Sequence, residues 1–367
     1  MERNRMRIAV AGCGVISDIY LKNLTGMFRD YVEVVACCDI QEEKAETRAA
    51  QYNIEKRTIE QILEDKSIQM VIVLTPAPVH YGLIKQCLEA GKHVYTEKTM
   101  TVALEQAQEL VALANEKGLY LGAAPDTFMG ASLQKARELI DAGTLGEITS
   151  FLVCSNRNLD SLTSRYNFLR LPGGGICYDY GVYYLTALVS LLGPIYRVGA
   201  VVENRKPVRT NVNPNSPDFG KPFDYPNEGQ VTALLTTESG INGTFILNGE
   251  SIAHDLGVFS IYGTKGVLRL ANPNFFGGDL ELLQSGSKGL ETQIVANDLP
   301  FANNNRGLGP TEMALAIEAG KTNRASKEQA FHILDVIERI MESSATGQFV
   351  TVHSRCALPE PLNGALG

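Results

Sequence analysis

The chain has 367 residues, of which 44% are hydrophobic and 20% charged, and its formal net charge is -8. A chain of this length exceeds what one hydrophobic core usually serves, so we expect two domains. The negative charge, without a local cluster of Lys or Arg, argues against nucleic acid as a partner.

Short apolar strands alternate with helical patterns in the first part of the chain. The helical segments at 79–91 and 102–118 each end in a glycine suited to a C-cap position. Near-continuous apolar strands separated by helices are typical of a parallel sheet covered on both faces. We therefore predict an α/β, doubly wound domain over residues 1–124. Its strands are MRIAVAG (6–12), VEVVACCD (32–39), MVIVLTP (70–76), KHVYTEK (92–98) and LYLGAAP (119–125).

After about residue 125 the pattern changes to one helix, at 132–143, followed by longer strands. Turn signals such as Glu238-Ser239-Gly240 separate these strands, which favours a C-terminal α+β domain with a large, mainly antiparallel open sheet over 125–367. The Pro- and Asn-rich segment 208–229 is typical of a long surface loop. Two helices, near 310–320 and 326–345, close the chain. The strands are EITSFLVCS (147–155), QVTALLTTES (230–239), INGTFILNG (241–249) and VFSIYGTKGVLRL (258–270).

The cysteines and the start of the chain bear on the compartment. The seven cysteines are scattered and include no C-x-x-C pair, which favours a reducing cytoplasm over a disulfide framework or a zinc site. The five histidines form no cluster at ligand spacing, so we expect no metal. The polar lead into the first strand is not a signal-peptide pattern, and no apolar stretch is long enough to span a bilayer.

A glycine-rich turn follows the first strand and leads into a helical pattern. In a G-x-G-x-x-G motif the first glycine makes a tight turn, the second lets the backbone approach a pyrophosphate, and the helix N-terminus offers free N–H groups. A strand–helix turn without ligand is the alternative for the motif alone. Asp39, 22 residues after Ser17, favours dinucleotide binding in a Rossmann domain, because its carboxylate would accept from ribose hydroxyls. The turn consists of Gly12, Cys13, Gly14, Val15, Ile16 and Ser17.

The second strand also indicates which dinucleotide is bound. A carboxylate at Asp39 repels a 2′-phosphate, and the next residue is Ile40 rather than an arginine. Lys44 and Arg48 lie further along the chain, and their positive charges would weaken the discrimination against the 2′-phosphate of NADP. The sequence favours NAD over NADP.

Two charged residues, Glu97 and Lys98, end the fifth strand, at the edge where open α/β sheets bind ligands. A solvated charge pair at a strand end is the alternative interpretation of Glu97 and Lys98.

A second polar pair, Asp179 and Tyr183, follows the run Gly173-Gly174-Gly175. If 176–187 are helical, Asp179 and Tyr183 share one face, and the glycines let the backbone pass close to a substrate without Cβ clashes. A flexible connection before a buried aromatic helix is the competing interpretation.

At this point the sequence resembles the Gfo/Idh/MocA family, which includes glucose-fructose oxidoreductase and inositol dehydrogenase. The resemblance spans nearly the whole chain, and the order and spacing of its motifs are more specific than any single one. The motifs are GCGVIS, TPAPVH, YTEK, GGGICYDYG, GPTEMALAIEAGK and RASKEQAFHIL.

The resemblance implies a two-domain enzyme that moves hydride between a nicotinamide and a carbon bearing a hydroxyl, usually on a sugar or cyclic polyol. The E-K-P motif of the family maps onto Glu97-Lys98-Thr99, and its D-x-G-x-H motif maps onto residues 179–183. Two positions depart from the pattern: Thr99 replaces a proline and Tyr183 replaces a histidine. The resemblance also implies a homodimer or homotetramer formed through the C-terminal sheet.

Lys98 is positioned to accept the proton of the substrate hydroxyl. Its ordinary pKa is about 10.4, and a cationic nicotinamide about 5 Å away would disfavour the ammonium by about 3 kcal/mol. Asp179 would oppose this effect if adjacent and ionised. Tyr183 would orient the reacting hydroxyl, since a phenol does not titrate near neutrality. A cis bond at Lys98-Thr99 would cost about 3 kcal/mol, so we expect trans.

Other candidates have competing structural explanations. The resemblance places Thr75, Pro76 and His80 beside the nicotinamide ribose, although a plain helix start at Pro76 also explains them. Asp126 could reach the substrate or form an Asx turn. Two more residues, Tyr166 and His254, lie in segments that could face the cleft.

Three functions follow in order of preference. The first is an NAD-dependent dehydrogenase with catalytic residues Lys98, Asp179 and Tyr183, acting on a sugar, an inositol or a related polyol. The second is an enzyme that retains NAD and uses transient oxidation to cleave a glycosidic bond or invert a centre. The third is a dinucleotide-binding sensor without chemistry.

Overall fold

The computed structural model describes residues 5–254, 256–287, 289–362 and 366. Backbone contacts divide the chain into two compact units. The described residues up to Met129, together with Asn304–Phe331 and those after Pro361, form the first unit, and Gly130–Asn303 with His332–Pro361 form the second. The predicted boundary after residue 124 lies near the first division, but the sequence did not indicate that 304–331 return to the first unit.

The first unit is built on a six-stranded parallel sheet with the order β3-β2-β1-β4-β5-β6. All five predicted strands are present, and the short β3 was not predicted. The elements are β1 Met6–Ala11, α1 Ser17–Thr25, β2 Val32–Cys38, α2 Glu42–Tyr52, β3 Glu55–Lys56, α3 Ile59–Glu64, β4 Met70–Val73, α4 Ala77–Glu89, β5 His93–Thr96, α5 Leu104–Lys117 and β6 Leu121–Ala123.

This strand order creates a switch point between β1 and β4. Both strands are almost entirely buried, as expected for central strands covered by helices on both faces. The chain leaves the carboxyl ends of β1 and β4 in opposite directions along the sheet, and open α/β sheets bind ligands in the crevice that results. The candidate residues near Gly12, Thr75 and Lys98 therefore lie at one edge of the sheet.

The second unit is built on a nine-stranded sheet with the order β16-β15-β14-β13-β7-β12-β11-β8-β17. Every pair in it is antiparallel except β12 with β7, which are parallel. The mainly antiparallel sheet predicted from the sequence is confirmed. The elements before residue 300 are α6 Ala131–Asp141, β7 Ile148–Asn156, α7 Leu159–Arg165, α8 Val182–Leu192, β8 Ile195–Glu203, β9 Val208–Thr210, β10 Pro222–Asp224, β11 Gln230–Thr237, β12 Asn242–Asn248, β13 Val258–Gly263, β14 Gly266–Arg269, β15 Leu280–Gly286 and β16 Gly289–Val295.

Two helices and a short strand follow, in agreement with the predicted C-terminal helices. Helix α9, Leu308–Ala319, belongs to the first unit. Helix α10, Lys327–Thr346, begins in the first unit and ends in the second. Strand β17, Val350–Thr351, pairs with β8 at the edge of the larger sheet.

The segment 208–229 is not simply the surface loop that the sequence predicted. Its two short strands, β9 and β10, pair with each other. Arg209 and Tyr225 within it are buried, and the Arg209 guanidinium lies over the Tyr225 ring and binds Asp160 and Glu250. The prediction was wrong because turn-forming residues mark where a chain bends, whereas burial depends on these long-range contacts.

Candidate functional site

The turn after β1 contains two glycines with different surroundings. Gly12 has φ +103°, and a Cβ at that position would lie 2.8 Å from the backbone carbon of Leu74. Gly14 has no atom within 4 Å of the place where its Cβ would be. The packing of the turn on the end of β4 therefore requires Gly12, while Gly14 leaves open space above the backbone that leads into α1.

The carboxylate of Asp39 fixes the conformation of this turn. One oxygen, Oδ2, accepts from the backbone N–H of Cys13 at 2.7 Å, and Oδ1 accepts from the N–H of Gln41 at 2.8 Å. Two apolar side chains beside it are exposed, Val15 by 82% and Ile40 by 99%. The turn, the carboxylate and the exposed apolar surface fit the adenosine half of a dinucleotide, which has a ribose to bind and a flat ring to cover.

Arg48, whose charge would weaken the discrimination against a 2′-phosphate, binds two residues of α1. Its Nε donates to Ser17 Oγ at 3.1 Å, and one terminal nitrogen lies 2.7 Å from Asp18 Oδ1. Ser17 Oγ in turn donates to the carbonyl of Gly14 at 2.6 Å. Ser17, which stands where the G-x-G-x-x-G motif has its third glycine, thus links the glycine turn through Arg48 to α2.

His80 connects the ends of β4 and β5. The residue is buried, with Nε2 at 2.7 Å from the carbonyl oxygen of Thr75 and Nδ1 at 2.7 Å from that of Thr99. Burial lowers the pKa of His80, and the two carbonyl contacts oppose that effect. Both ring nitrogens are engaged by the backbone, so His80 supports the two loops. Pro76 directly precedes α4, as the plain helix start predicted.

Glu97 and Lys98 follow β5 in the first unit. The Oε1 atom of Glu97 accepts from the buried hydroxyl of Tyr20 at 2.8 Å, and its Oε2 accepts from the N–H of Lys98 at 3.2 Å. Burial, followed by the charge of Glu97, raises the pKa of Tyr20. Glu97 is therefore fixed from the α1 side of the sheet, and it orients the backbone from which the half-buried Lys98 side chain extends.

The peptide bond between Lys98 and Thr99 is cis, so the predicted trans bond is wrong. That prediction weighed only the preference of an isolated peptide bond. In the fold, Thr99 is buried and its carbonyl is bound by His80.

Asp126 is buried, and its carboxylate binds the start of α9. Its Oδ2 accepts from the N–H of Gly309 at 3.0 Å and from that of Gly307 at 3.3 Å. Burial raises the pKa of Asp126 to about 6, although the Gly309 hydrogen bond opposes this. This contact with the start of α9 is an additional one, which neither the substrate contact nor the Asx turn proposed for Asp126 predicted. Sequence reasoning missed it because the partner lies far along the chain.

In the second unit, the run of three glycines makes close backbone packing possible. Gly173 has φ +81°. A Cβ at Gly174 would overlap the carbonyl of Leu169, and a Cβ at Gly175 would overlap the carboxylate of Glu228. The close approach predicted from the sequence is present, but these neighbours are protein atoms. The flexible-connection interpretation is inconsistent with such tight contacts.

The segment after the glycines is helical, but its first turn is not α-helical. Residues Cys177–Gly181 form a π-helical turn that continues into α8. Such turns are rare and occur frequently at functional sites. Asp179 lies in the π turn and is partly exposed, whereas Tyr183 lies in the first turn of α8 and is 8% exposed. The π turn changes their angular spacing from that of the uniform α-helix on which the prediction relied.

Two neighbouring tyrosines, Tyr180 and Tyr184, are packing residues. Tyr180 and Tyr184 are buried, with ring centroids 5.6 Å apart, and the Tyr184 hydroxyl donates to Ser155 Oγ at 3.1 Å. The Tyr180 ring lies under the guanidinium of Arg157 at 4.2 Å and has its centroid 6.3 Å from that of Tyr183. An aromatic cluster therefore anchors the start of α8.

Tyr166 and His254 occupy other parts of the second unit. Tyr166 is partly buried beside Phe168, with ring centroids 6.0 Å apart. His254 is exposed, and its Nδ1 accepts from the N–H of Asn158 at 3.4 Å. The described contacts give neither residue a direct connection to Asp179 or Tyr183.

Glu228, which the sequence did not single out, lies directly under the glycine run. Its Oε1 accepts from the N–H of Cys177 at 2.9 Å. The sequence offered little indication of this role for Glu228, since a single acidic residue in a Pro- and Asn-rich segment forms no distinguishing pattern.

The described part of the chain contains no group of three or more His, Cys, Asp or Glu residues arranged to hold a metal ion. Among the helices in the described ranges, none combines the length and the apolar character needed to cross a membrane.

Two family models match the chain. One, described as an oxidoreductase family with an NAD-binding Rossmann fold, matches residues 6–124. The other, described as the GFO/IDH/MocA C-terminal domain, matches residues 133–269.

Relatives and solved structures are similar over different lengths. An uncharacterized oxidoreductase of Schizosaccharomyces pombe is 31% identical over 208 residues, which are 55% of this chain and 56% of that protein. The scyllo-inositol 2-dehydrogenase (NADP(+)) of Bacillus subtilis is 25% identical over 354 residues, covering 92% of this chain and 94% of that protein. A levoglucosan dehydrogenase solved with NADH has a TM-score of 0.83 at 17% identity, covering 96% of this chain and 100% of that one. The chain thus spans little more than half the length of the first relative and nearly all of the other two.

Proposed function

Because the chain belongs to the Gfo/Idh/MocA family of oxidoreductases, we propose that it is an NAD-dependent dehydrogenase that oxidises a hydroxyl group of a sugar, an inositol or a related polyol. The observation that carries the proposal is the arrangement at one edge of the parallel sheet. The open Gly14 turn follows β1, Thr75 follows β4, and Lys98 follows the adjacent β5. His80 fixes the last two segments to each other. The names of relatives such as scyllo-inositol 2-dehydrogenase and levoglucosan dehydrogenase support the substrate class.

NAD is the cofactor that the residues favour. The turn from Gly12 to Ile16 would hold the pyrophosphate, Asp39 would accept from the ribose hydroxyls, and Ile40 would cover the adenine side. A negative side chain at Asp39 disfavours a 2′-phosphate, and Arg48 is engaged by Asp18 rather than directed to such a group. The Bacillus relative carries NADP in its name, so Asp39 is the residue with which to test the choice.

The nicotinamide, when bound, supplies the acceptor for the hydride of the carbinol carbon. The task of the protein is to remove the hydroxyl proton, and we assign this to Nζ of Lys98, with Glu97 positioning the lysine backbone through the 3.2 Å hydrogen bond. From the second unit, the hydroxyl of Tyr183 orients the substrate oxygen, and Asp179 accepts a hydrogen bond from a neighbouring hydroxyl. The π turn beneath them supports a functional role for this segment.

We propose further that the protein forms a homodimer or homotetramer through its larger sheet. On β11, Ala233 and Leu235 are buried while Leu234 between them is 54% exposed. One register row on the same face as Leu234 crosses five strands and is mostly apolar. It consists of Val201, Thr232, Ile246, Cys154 and Val258. An apolar sheet face of this extent is well suited to pairing with a second copy.

Five cysteines are free and buried: Cys13, Cys37, Cys38, Cys87 and Cys177. Free thiols in these buried positions support a reducing compartment, and we propose the cytoplasm.

One experiment tests the activity and its alternatives. Purified protein is incubated with NAD or NADP and with scyllo-inositol, myo-inositol, levoglucosan and simple glycosides, while absorbance at the NADH maximum and product release are both followed. NADH formation is the expected result. Release of sugar without NADH would show transient oxidation, and tight NAD binding without turnover would show a sensor.

Variants test the assigned roles. We expect Lys98→Ala to lower kcat by about 10²- to 10⁴-fold, the range of a lost general base, and Tyr183→Phe to raise KM with a smaller loss of kcat. Lys117→Ala is the matched control, because that lysine is the exposed last residue of α5. Near-normal turnover in the Lys98 variant together with an inactive Tyr183 variant would reverse the two roles.

A further inference from the structure

Glu228 binds the backbone that carries the proposed reactive residues of the second unit. Its side-chain Oε1 accepts from the N–H of Cys177 at 2.9 Å, and its main-chain carbonyl accepts from the N–H of Ile176 at 3.1 Å. These are successive N–H groups at the start of the π turn, where helical donors have no partner within the helix. Glu228 therefore ties the beginning of this helical segment to the strand that follows, β11.

The sequence around the π turn is shaped to fit this carboxylate. Gly175 does not have a positive φ, so its own backbone conformation would accept any residue. A Cβ at Gly175 would nevertheless overlap both carboxylate oxygens of Glu228. The third glycine of the run is thus required by Glu228 rather than by backbone geometry, which links the glycine motif to one specific side chain.

The surroundings of Glu228 make its charge sensitive to pH. Burial, with a further contribution from the charge of Asp179, raises the pKa of Glu228 to about 7, and the hydrogen bond from Cys177 opposes this. The groups that face it are Asp179, Cys177 and Tyr178 from the π turn and Tyr225 from the preceding segment. Glu338 of α10 lies one residue further out, where its Oε1 accepts from the Tyr178 hydroxyl at 2.7 Å.

We propose that Glu228 is a positioning residue for hydride transfer, holding the π turn and, through it, Asp179 and Tyr183 in their reactive arrangement. The inference rests on the proposed function for its kinetic consequence and on the structure alone for its holding role. Because burial raises the pKa of Glu228 from the ordinary value of 4.5 to about 7, the fold favours the neutral carboxyl group. The stability that Glu228 contributes is therefore present below about pH 4.5 and is lost as the pH rises through about 7.

The main test compares wild type with Glu228→Gln, which keeps the shape and one acceptor oxygen but removes the charge. Hydrogen exchange of the peptide covering residues 176–183 is measured at about pH 8.5 and about pH 6 by mass spectrometry and corrected for intrinsic rates. We expect wild type to lose protection as the pH rises from about 6 to about 8.5, and Glu228→Gln, which has no charge to bury, to respond little to pH. Glu228→Ala, which removes the contact, should exchange about tenfold faster than wild type at the lower pH. Glu281→Gln, at a partly exposed glutamate paired with Arg269, is the matched control.

The kinetic test uses NAD with whichever of scyllo-inositol, myo-inositol and levoglucosan wild type turns over. We expect Glu228→Ala to lower kcat by about 10- to 100-fold, as misplaced groups do, Glu228→Gln to retain most of the wild-type kcat, and both variants to leave the Kd for NAD unchanged. An unchanged kcat in Glu228→Ala overturns the positioning role and leaves the proposed function intact. If wild type turns over none of the three probes, the proposed function fails, and the exchange result alone decides whether Glu228 holds the turn.

A double-mutant cycle checks the geometry without any substrate. Gly175→Ala should be strongly destabilising in wild type and nearly neutral in a Glu228→Ala background, because the clashing carboxylate is then absent. Additive effects of the two substitutions on urea unfolding would show that Gly175 is required for another reason, and they would overturn the fit on which the inference depends.

Discussion

The two glycines of the turn after β1 allow a matched test of the cofactor site. Gly12→Ala and Gly14→Ala each add a single methyl group, two residues apart, in the same turn. At Gly12 the new Cβ would lie 2.8 Å from the Leu74 backbone carbon and the residue would keep φ +103°. At Gly14 the new Cβ would have no protein atom within 4 Å. The first substitution therefore perturbs the fold and the second perturbs only the space above the turn.

The expected magnitudes follow from these surroundings. A positive φ costs an alanine about 1–2 kcal/mol, and the collision with the end of β4 raises the loss of stability in Gly12→Ala to about 3 kcal/mol. Gly14→Ala should change the free energy of unfolding by less than about 1 kcal/mol, since restricting the unfolded chain is mildly favourable. If a pyrophosphate passes over Gly14, its methyl group should weaken NAD binding by about 100-fold, or about 2.7 kcal/mol.

Isothermal titration with NADH and urea unfolding measure the two quantities on the same samples. The expected pattern is a stable Gly14→Ala protein that has lost NADH affinity, beside a destabilised Gly12→Ala protein. Wild-type affinity in Gly14→Ala would refute the reasoning, because it would show that the dinucleotide does not approach the backbone at this turn. A large loss of stability in Gly14→Ala would contradict the open space that the structure assigns to this position.

Three further predictions address cofactor choice, assembly and pH. Asp39→Asn should lower the preference for NAD over NADP by about tenfold or more, because it removes the charge that repels a 2′-phosphate; an unchanged ratio of the two kcat/KM values would contradict this. Leu234→Lys should shift the sedimentation coefficient to that of a monomer, whereas an unchanged value would place the interface elsewhere. Burial lowers the pKa of His332 to about 4, and its Nε2 accepts from the N–H of Ile195 at 3.0 Å. The neutral form is therefore preferred in the fold, and the stability present above about pH 6.5 is lost as the pH falls towards 4. From pH 8 to pH 5, wild type should lose about 2 kcal/mol more than His332→Gln in urea unfolding, and equal losses would refute the assignment.

Much of the first unit could be predicted because its strands and turns are specified by residues that are close together in the sequence. Each predicted strand is a continuous apolar run bounded by a turn, and each lies near the expected residues. The C-cap predicted at Gly118 is present, with φ +64° and the N–H donating to Ala114. Asp39 could be identified because a Rossmann turn fixes the distance along the chain between the glycines and the end of β2.

The second unit was harder to predict because its pairings join distant segments. Strand β12 lies between β7 and β11, parallel to the first and antiparallel to the second, and an alternating pattern does not reveal which neighbour a strand selects. Strand β8 and the hairpin of β15 and β16 were not predicted. The contacts of Asp126 and Glu228 were missed for the same reason, since the N–H groups that they bind, those of Gly309 and Cys177, lie far away in the sequence.

The two departures from the family pattern have different consequences for the proposed chemistry. At Thr99 the contact that the structure shows is made by the carbonyl, which binds His80, and the Thr99 hydroxyl has no hydrogen-bond partner among the described residues. A proline there would offer the same carbonyl, so this departure preserves the link between the two loops.

At Tyr183 the side chain itself changes, and a phenol does not exchange its proton near neutral pH as an imidazole does. A pH response that a histidine would provide at this position must then come from another group, and in the second unit Glu228, with a pKa of about 7, binds the turn directly before Tyr183. Restoring the imidazole with Tyr183→His should therefore add a second titration to the kcat profile, one that persists when Glu228 is replaced by glutamine.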